Sequence, residues 1–374
     1  MLRLSNLIRT TLNGEAERSL DGKIAILNLT NRCNLTCLHC YSKSGLDGED
    51  SLTTSDIMKL LPSLVRNNIK FIILSGGEPL TRADIFDISS ECKKQGIVTY
   101  LSTNGLYIHS TNVQKISESF SYIGVSVDGN QYTHDYFRGI TGAFDKTIGS
   151  VKLLLEYTKR VGIRFTLTSA TLNDLPFIFE LAEKHSIPKV YISHLVYSGR
   201  GSDNRTLDLS AKERMGAVCF ILDKAFEYYD RDVNIEIVTG NMEVDAVLLY
   251  KRFKEEYPGF IGKLKSKLIE WGGNSAGVKL VNIDSFGNVK PDPFFPVSIG
   301  SIKESSFDEI WQSDDNPILY ALRHHPRVLG GKCAECEYLS ICNGGSRARA
   351  HAVYGYLSAN DPSCYLSEIN NRSL

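Results

Sequence analysis

The sequence has no long apolar segment and almost no net charge. No apolar run reaches the roughly 18 residues that a membrane-spanning helix requires, so no membrane span is predicted. The first twenty residues lack the apolar core and the A-x-A cleavage site of a secretory signal. A net charge of −1 argues against a nucleic-acid backbone or an anionic membrane as the main partner. We therefore expect a cytoplasmic protein that binds no nucleic acid.

Internal repeats are also absent, whereas cysteine is plentiful. The 374 residues, 42% of them hydrophobic, suffice for a large core and more than one domain. Nine cysteines without an export signal argue against disulfides and for metal ligation in a reducing compartment. Cys92 and Cys219 stand singly in helical patterns and are predicted to be small buried side chains. The other seven cysteines form two groups.

The first group is Cys33, Cys37 and Cys40, in the segment NRCNLTCLHCYS. With the spacing C-x3-C-x2-C, three thiolates can hold three corners of a four-iron, four-sulfur cube. The fourth iron would then be open to a small molecule, which indicates an enzyme. A zinc site completed by His39 is the alternative. Tyr41, directly after the third cysteine, favours the iron–sulfur interpretation.

Apolar, strand-like runs alternate with amphipathic helical stretches between residues 24 and 195. The predicted strands are 23–30, 70–76, 97–104, 122–129, 163–170 and 189–196. Six strand–helix repeats predict an α/β fold, with a parallel sheet that forms a partial, TIM-like (β/α)6 barrel. Active sites of such folds lie at the C-terminal ends of the strands. The motifs that lie within this part of the chain each follow one of these strands.

The remaining segments predict four regions. We expect an N-terminal helical extension over 1–22 that packs on the body, the barrel over 23–204, a charged helical segment over 205–275 and a cluster-binding extension over 276–374. Within the extension, alternating residues predict a hairpin over 278–292 that turns at SFGN. A single helix is predicted from Ser306 to His325.

The second strand ends in the segment SGGEP, residues 75–79. Two glycines at a strand end let the backbone approach a ligand closely. A carbonyl and a carboxylate there can accept hydrogen bonds from a ligand's ammonium group. The alternative is a tight turn in which Glu-Pro begins a helix.

CNLTCLHCY followed by GGEP resembles the radical S-adenosylmethionine superfamily. The resemblance implies that the three cysteines hold a cluster whose open iron chelates the amino and carboxylate groups of S-adenosylmethionine. It also implies that Gly76, Gly77, Glu78 and Pro79 line the methionine moiety of this cofactor.

Two further strand ends, LSTNG and VSVDG, resemble the family's ribose- and sulfonium-contacting positions. The resemblance assigns this role to Ser102, Asn104, Ser126 and Asp128, with strand-end capping as the alternative. Arg138, in HDYFRG, is expected to meet a carboxylate of the cofactor or the substrate.

The second cysteine group has the spacing C-x2-C-x5-C-x21-C. Its members are Cys333, Cys336, Cys342 and Cys364. Four thiolates can ligate one four-iron cluster or one zinc ion. The group resembles the auxiliary-cluster domain of the SPASM and twitch subgroups, whose fuller pattern has seven cysteines and two auxiliary clusters. Asp292 and Ser346 stand at two of the missing positions, so we expect one auxiliary cluster, for electron relay or structure, and two 4Fe–4S clusters in all. Asp292 as an oxygen ligand of a further cluster is an alternative.

Segments of the second half, such as YISHLVYSGRG, WGGN and CNGGSRARA, resemble the haem-pathway branch of the superfamily. The resemblance implies that a 5′-deoxyadenosyl radical takes hydrogen from a carboxylate-bearing side chain of a siroheme-derived tetrapyrrole, and that this side chain is lost. We expect removal of acetate side chains from didecarboxysiroheme to give Fe-coproporphyrin III, which the segment PDPFFP (291–296) favours. Removal of propionate side chains in haem d1 biosynthesis is the alternative. A ferredoxin or flavodoxin is expected as the electron donor.

His194, Tyr197 and Arg200 follow the sixth predicted strand and are expected to face the barrel mouth. A polyanionic tetrapyrrole needs arginine for its carboxylates and can use histidine for its iron, so these three residues are the predicted substrate or catalytic residues. The alternative is a hydrogen-bond network that supports the fold. Arg347 and Arg349 are the next candidates, unless they only neutralise the auxiliary cluster.

Two other classes of protein remain open. A peptide-modifying maturase would share the radical core but often carries a peptide-recognition domain, for which the roughly 22 residues before the first strand are too few. A non-catalytic electron-transfer protein would leave the SGGEP loop without a role.

Overall fold

One mixed sheet of eleven strands organises the molecule. The computed structural model describes residues 1–14 and 22–370; residues 15–21 of the predicted N-terminal extension and the last four residues of the predicted C-terminal extension lie outside it. The strands are β1 (Leu2–Arg3), β2 (Lys23–Thr30), β3 (Ile69–Gly76), β4 (Val98–Thr103), β5 (Tyr122–Ser126), β6 (Val161–Leu167), β7 (Lys189–His194), β8 (Glu236–Gly240), β9 (Leu280–Ile283), β10 (Asn288–Lys290) and β11 (Gly300–Ser301). Their order is β1-β8-β7-β6-β5-β4-β3-β2-β9-β10-β11.

Strands β2 to β8 are parallel neighbours, and the six predicted strands are confirmed as β2 to β7. Strand β8 was not predicted, and it lies within the segment 205–275 that was predicted to be helical. Its five residues are flanked by long amphipathic helices whose periodicity dominates the sequence there. Pairing with β7, which places Tyr191 opposite Val238, is what selects the extended conformation.

Helices cover the outer face of the curved sheet. The helices are α1 (Leu4–Leu12), α2 (Thr54–Arg66), α3 (Ile85–Lys94), α4 (Val113–Ser119), α5 (Gln131–Arg138), α6 (Ala143–Tyr157), α7 (Leu175–Lys184), α8 (Arg200–Asp203), α9 (Ala211–Asp230), α10 (Asp245–Glu256), α11 (Ile261–Trp271), α12 (Phe307–Trp311), α13 (Pro317–Arg323), α14 (Leu339–Cys342), α15 (Arg347–Tyr354) and α16 (Leu366–Asn370). Capping boxes begin α2 at Thr53 and α9 at Ser210, where each side chain accepts from the third backbone N–H of the helix. Within the described residues, no helix is both long enough and apolar enough to cross a membrane.

The N-terminal segment packs on the body, as predicted. Leu4 and Ile8 of α1 are fully buried, and β1 pairs antiparallel with β8. Arg3 reaches Glu236 at 2.5 Å, and Lys189 reaches the same carboxylate at 3.1 Å. This charged network fills the end of the barrel opposite the C-terminal strand ends.

The predicted hairpin is confirmed as β9 and β10, and it continues the barrel sheet because β9 pairs in parallel with β2. The sheet therefore runs across the predicted boundaries at 204/205 and 275/276. The prediction of one helix from Ser306 to His325 is wrong, since α12 and α13 are separate. Asn316 accepts from two backbone N–H groups of α13, and Pro317 cannot continue a helix from α12.

Candidate active site

The three N-terminal cysteines lie in the loop after β2, where hydrogen-bond donors face their sulfur atoms. Cys33 Sγ accepts from Leu35 N at 3.4 Å and lies 3.9 Å from Asn104 Nδ2. Cys37 Sγ accepts from Arg138 Nη1 at 3.6 Å. Burial, and then the neighbouring thiols and Glu78, raise the pKa of Cys33 to about 12 against the Leu35 hydrogen bond. Bound iron would reverse that balance, because a coordinating thiol is deprotonated. The donor set therefore fits a thiolate-held cluster.

The loop after β7 holds this cysteine loop through its backbone. Arg200 donates from its backbone N to Cys40 O at 2.8 Å and from Nε to Cys37 O at 2.7 Å. A Cβ at Gly199, where φ is +55°, would lie 2.4 Å from Cys40 O. On the other side, Tyr41 donates to Asn28 Oδ1 at 3.0 Å. The cysteine positions are thus set by β2 and β7 together.

The glycines of the SGGEP loop serve a close backbone contact with the cysteine loop. A Cβ at Gly77 would lie 2.1 Å from Arg32 O, and a Cβ at Gly76 would lie 2.4 Å from Thr30 O. Glu78 is fully buried, and its carboxylate accepts from Thr103 Oγ1 and Asn104 N, both at 2.8 Å. Burial, outweighing these bonds, raises the pKa of Glu78 to about 7.

A cavity opens at the C-terminal ends of the strands, and we call it the cysteine cavity. Predicted residues that line it are Cys33, Cys37, Cys40, Gly76, Gly77, Ser102, Asn104, Ser126, Arg138, His194 and Arg200. The hydroxyls of Ser75, Thr166 and Ser193 also line it. Glu78, Pro79 and Asp128 lie behind its wall, so their predicted contact with the cofactor stays a prediction.

Asp128 positions Arg138 against the cysteine loop. The Asp128 carboxylate is fully buried, forms an ion pair with Arg138, and accepts from Thr166 N at 2.7 Å. Burial opposes its ionisation, yet Arg138 holds the pKa of Asp128 below its usual value. Arg138 therefore already has a carboxylate partner and a cysteine sulfur partner.

The predicted substrate residues lie in hydrogen-bond networks. His194 Nε2 is 3.1 Å from Asp245 Oδ2, and the ring is 2% exposed. Tyr197 donates to Asp208 Oδ2 at 2.6 Å. His194 and Arg200 border the cysteine cavity, whereas Tyr197 borders a second cavity. Contact of these three residues with substrate stays a prediction, and so does the alternative, a hydrogen-bond network that supports the fold.

A second cavity adjoins the first, and we call it the outer cavity. Tyr41 lines both cavities, and its ring meets that of Phe294 edge-on at 5.3 Å between centroids. Three cations border the outer cavity: Lys43 and Lys290, which pair with Asp203 and Asp284, and Arg205, which donates to Ser202 Oγ. The segment 291–296, which favoured acetate removal, therefore lies where the two cavities meet.

Sequence reasoning missed Arg164, Tyr191 and Phe294 among the residues that line the cysteine cavity. In IRFTLT, Arg164 and Thr166 alternate with buried apolar residues, which is the period of a strand. That alternation was the available signal for the inward direction of Arg164. Of the two single cysteines, Cys92 is fully buried as predicted, whereas Cys219 is partly exposed.

The four C-terminal cysteines lie near one another in the cluster-binding extension. Burial, opposed by a backbone hydrogen bond from Gly344 and assisted by the thiols of Cys336, Cys364 and Cys333, raises the pKa of Cys342 to about 12. In the described ranges, no three His, Cys, Asp or Glu side chains converge as ligands of one ion.

Asp292 and Ser346 are engaged in local hydrogen bonds. Asp292 Oδ1 accepts from Phe294 N at 2.8 Å, and Ser346 caps α15 by accepting from Arg349 N at 3.2 Å. Arg349 is fully buried and donates to both oxygens of Asp361, at 2.9 and 2.8 Å. Arg347 donates to backbone carbonyls around the same turn. Neither arginine borders the two cavities described above.

The barrel, the cysteine loop and the C-terminal cluster site define the class of protein. Residues 27–182 match the family model of the radical SAM superfamily, and residues 275–337 match that of the SPASM iron–sulfur cluster-binding domain. The chain belongs to the radical SAM superfamily and is an enzyme of that kind. S-adenosylmethionine and iron–sulfur clusters are its cofactors.

Two relatives match nearly the whole chain. Pre-heme d1 synthase of Dinoroseobacter shibae is 36% identical over 98% of this chain and 93% of its own length. Fe-coproporphyrin III synthase of Methanosarcina barkeri is 34% identical over 92% of this chain and 88% of its own length. A solved structure, anSMEcpe with bound AdoMet and a peptide, matches with a TM-score of 0.70 and 17% identity over 93% of this chain and 96% of that one. At that identity the likeness shows the fold alone.

Proposed function

We propose that the enzyme removes acetate side chains from didecarboxysiroheme to give Fe-coproporphyrin III. The 34% identity to Fe-coproporphyrin III synthase over most of both chains carries the side-chain chemistry, and the segment PDPFFP (291–296) carries the choice of acetate. The adjoining cavities support it, because the cysteine cavity alone must hold the cofactor. The adjoining outer cavity supplies further space, and Arg205 at its border is a cation that can meet a carboxylate of a tetrapyrrole.

The roles of the residues follow from their placement. When bound, S-adenosylmethionine and the reduced cluster supply the radical that abstracts hydrogen. Cys33, Cys37 and Cys40 hold the cluster, and Arg138 faces the thiolate of Cys37. Tyr41 separates the cofactor end from the outer cavity, so the substrate macrocycle lies outside it and one side chain reaches inward.

Removal of propionate side chains is the second candidate, favoured by the 36% identity to pre-heme d1 synthase. The two reactions differ in product mass. Anaerobically reconstituted protein, incubated with S-adenosylmethionine, dithionite and didecarboxysiroheme, should yield a product that has lost acetate chains. Loss of propionate would select the second candidate. Formation of 5′-deoxyadenosine with no change in the tetrapyrrole would overturn both and favour a peptide substrate.

The proposed function also includes an electron donor and a cellular compartment for the enzyme. A low-potential cluster needs a one-electron donor, and we propose a ferredoxin or flavodoxin. Thiol ligands for two clusters need a reducing compartment, which supports a cytoplasmic location. Reduced flavodoxin should replace dithionite in the assay, and failure of both flavodoxin and ferredoxin would contradict this part.

A further inference from the structure

Arg164 lies inside the cysteine cavity, and Gly124 leaves the space that its side chain occupies. A Cβ at Gly124 on the neighbouring strand would lie 2.9 Å from Arg164 Cδ, so the side chain crosses β5 where that strand has no side chain. Its Nη1 donates to Ser102 Oγ at 2.9 Å. The guanidinium carbon lies 5.1 Å from the centre of the Tyr191 ring, which holds the planar group by a cation–π contact.

The charge of Arg164 has no carboxylate partner among the described residues. No Asp or Glu lines the described part of the cysteine cavity, although three arginines do. Arg138 is paired with Asp128, and Arg200 donates to the carbonyl of Cys37. Both of these arginines therefore act at the cysteine loop, while the guanidinium of Arg164 contacts a hydroxyl and a ring face among the described residues. The guanidinium of Arg164 is therefore available to a carboxylate of a ligand in the cysteine cavity.

We infer that Arg164 binds the carboxylate of the substrate side chain that is removed. This inference rests on the proposed function. The part of a tetrapyrrole that enters the cavity of the cysteine loop is the side chain that reacts. A guanidinium fork binds a carboxylate through two parallel hydrogen bonds, and this fixes the direction of the side chain as well as its depth. Arg164 is thus a positioning and specificity-determining residue.

The test compares Arg164→Gln, Arg164→Lys and the control Arg160→Gln, each with both clusters reconstituted and verified by iron content and absorbance. Arg160 precedes the same strand, is exposed, and donates to Ser117 O outside the cavity. The affinities for didecarboxysiroheme and for Fe-coproporphyrin III are measured from the shift of the Soret band. The affinity for S-adenosylmethionine is measured by calorimetry. Fe-coproporphyrin III keeps its propionates but lacks the removed acetates.

Arg164→Gln should weaken didecarboxysiroheme binding at least about tenfold, the effect of losing a charge-assisted hydrogen bond. Its affinities for Fe-coproporphyrin III and S-adenosylmethionine should stay within about twofold of the wild-type values. Arg164→Lys, which keeps the charge without the fork, should recover part of the loss and shows the effect if the glutamine variant fails to fold. Arg160→Gln should match the wild type.

Unchanged didecarboxysiroheme affinity in Arg164→Gln would overturn the inference. An equal loss for both tetrapyrroles would assign Arg164 to a propionate, and a loss confined to S-adenosylmethionine would assign it to the cofactor; either result overturns the assignment to the removed side chain. A wild-type protein that binds neither tetrapyrrole would instead refute the proposed function.

Discussion

At the scale of residues, we expect activity to depend on the three N-terminal cysteines, whose sulfur atoms face backbone and arginine donors. Cys33→Ser should lower the iron bound per chain by about half, because one of two four-iron clusters is lost. Formation of 5′-deoxyadenosine should fall to background, since the radical cluster alone cleaves the cofactor. Iron analysis and chromatography of the nucleoside measure these outcomes. Cys92→Ala, at a buried cysteine outside both groups, is the control and should keep both values; a Cys33→Ser protein with full iron would contradict the assignment.

Ionisation of Asp292 lowers the stability of the fold, whereas an asparagine at this position does not ionise. Burial, opposed by the Phe294 backbone hydrogen bond, raises the pKa of Asp292 to about 6. Folding therefore favours the protonated acid. The contribution of this acid to the free energy of unfolding is complete below the unfolded pKa of about 4, and it is lost as the pH rises through about 6.

Asp292→Asn should accordingly gain about 1–3 kcal/mol relative to the wild type between pH 4 and pH 7. Anaerobic urea unfolding at the two pH values measures this difference. Because Asp292 is engaged with the Phe294 amide, the variant should also retain the iron content of the wild type. Loss of iron would instead support Asp292 as a cluster ligand.

At the scale of elements, the loops after β2, β3 and β7 form one unit through backbone contacts. Gly77→Ala would place a methyl group 2.1 Å from Arg32 O and must displace the cysteine loop. We expect at least about tenfold less 5′-deoxyadenosine and about 1–3 kcal/mol less stability. Nucleoside yield and denaturant unfolding measure both.

Gly149→Ala is the matched control for that substitution. Gly149 lies in α6, and an added Cβ would meet nothing within 4 Å. It should gain about 0.5–1 kcal/mol from helix propensity and keep full activity. Equal behaviour of the two variants would show that the contact between the loops has no role.

At the scale of the molecule, one buried arginine joins the C-terminal cluster region to the barrel. Arg349 donates to Leu195 O after β7 at 3.1 Å and to Asp361, three residues before Cys364. Arg349→Leu would leave the buried Asp361 carboxylate without its cation, at a cost of about 3–5 kcal/mol. Iron bound by the auxiliary site should fall in parallel.

Arg231→Leu provides the comparison, because Arg231 forms an exposed pair with Glu227 on α9. Such pairs contribute less than about 1 kcal/mol. Urea unfolding of both variants, with iron analysis, separates the two roles. An Arg349→Leu protein as stable as Arg231→Leu would show that the ion pair does not join the two regions.

The barrel strands were predictable because each carries its own apolar alternation. The single predicted helix over 306–325 failed because an Asn316 cap, followed by Pro317, ends one helix and begins another within a continuous apolar pattern. The sequence did not predict strand β8, because its extended conformation depends on pairing with β7 and β1, which are distant in sequence.

Ligand type and spacing are local properties, so the amino-acid pattern alone indicated two cysteine-held clusters and a cofactor at the strand ends. Only tertiary contacts decided which side chains face the cavity. The Glu78 carboxylate accepts from Thr103 and Asn104 behind the cavity wall, so the cofactor contact that its motif predicts stays a prediction. Arg164, which belongs to no motif, enters the cavity because Gly124, forty residues earlier, leaves room for it. The direction and partners of a side chain depend on neighbouring strands, and the order of those strands exists only in the folded sheet.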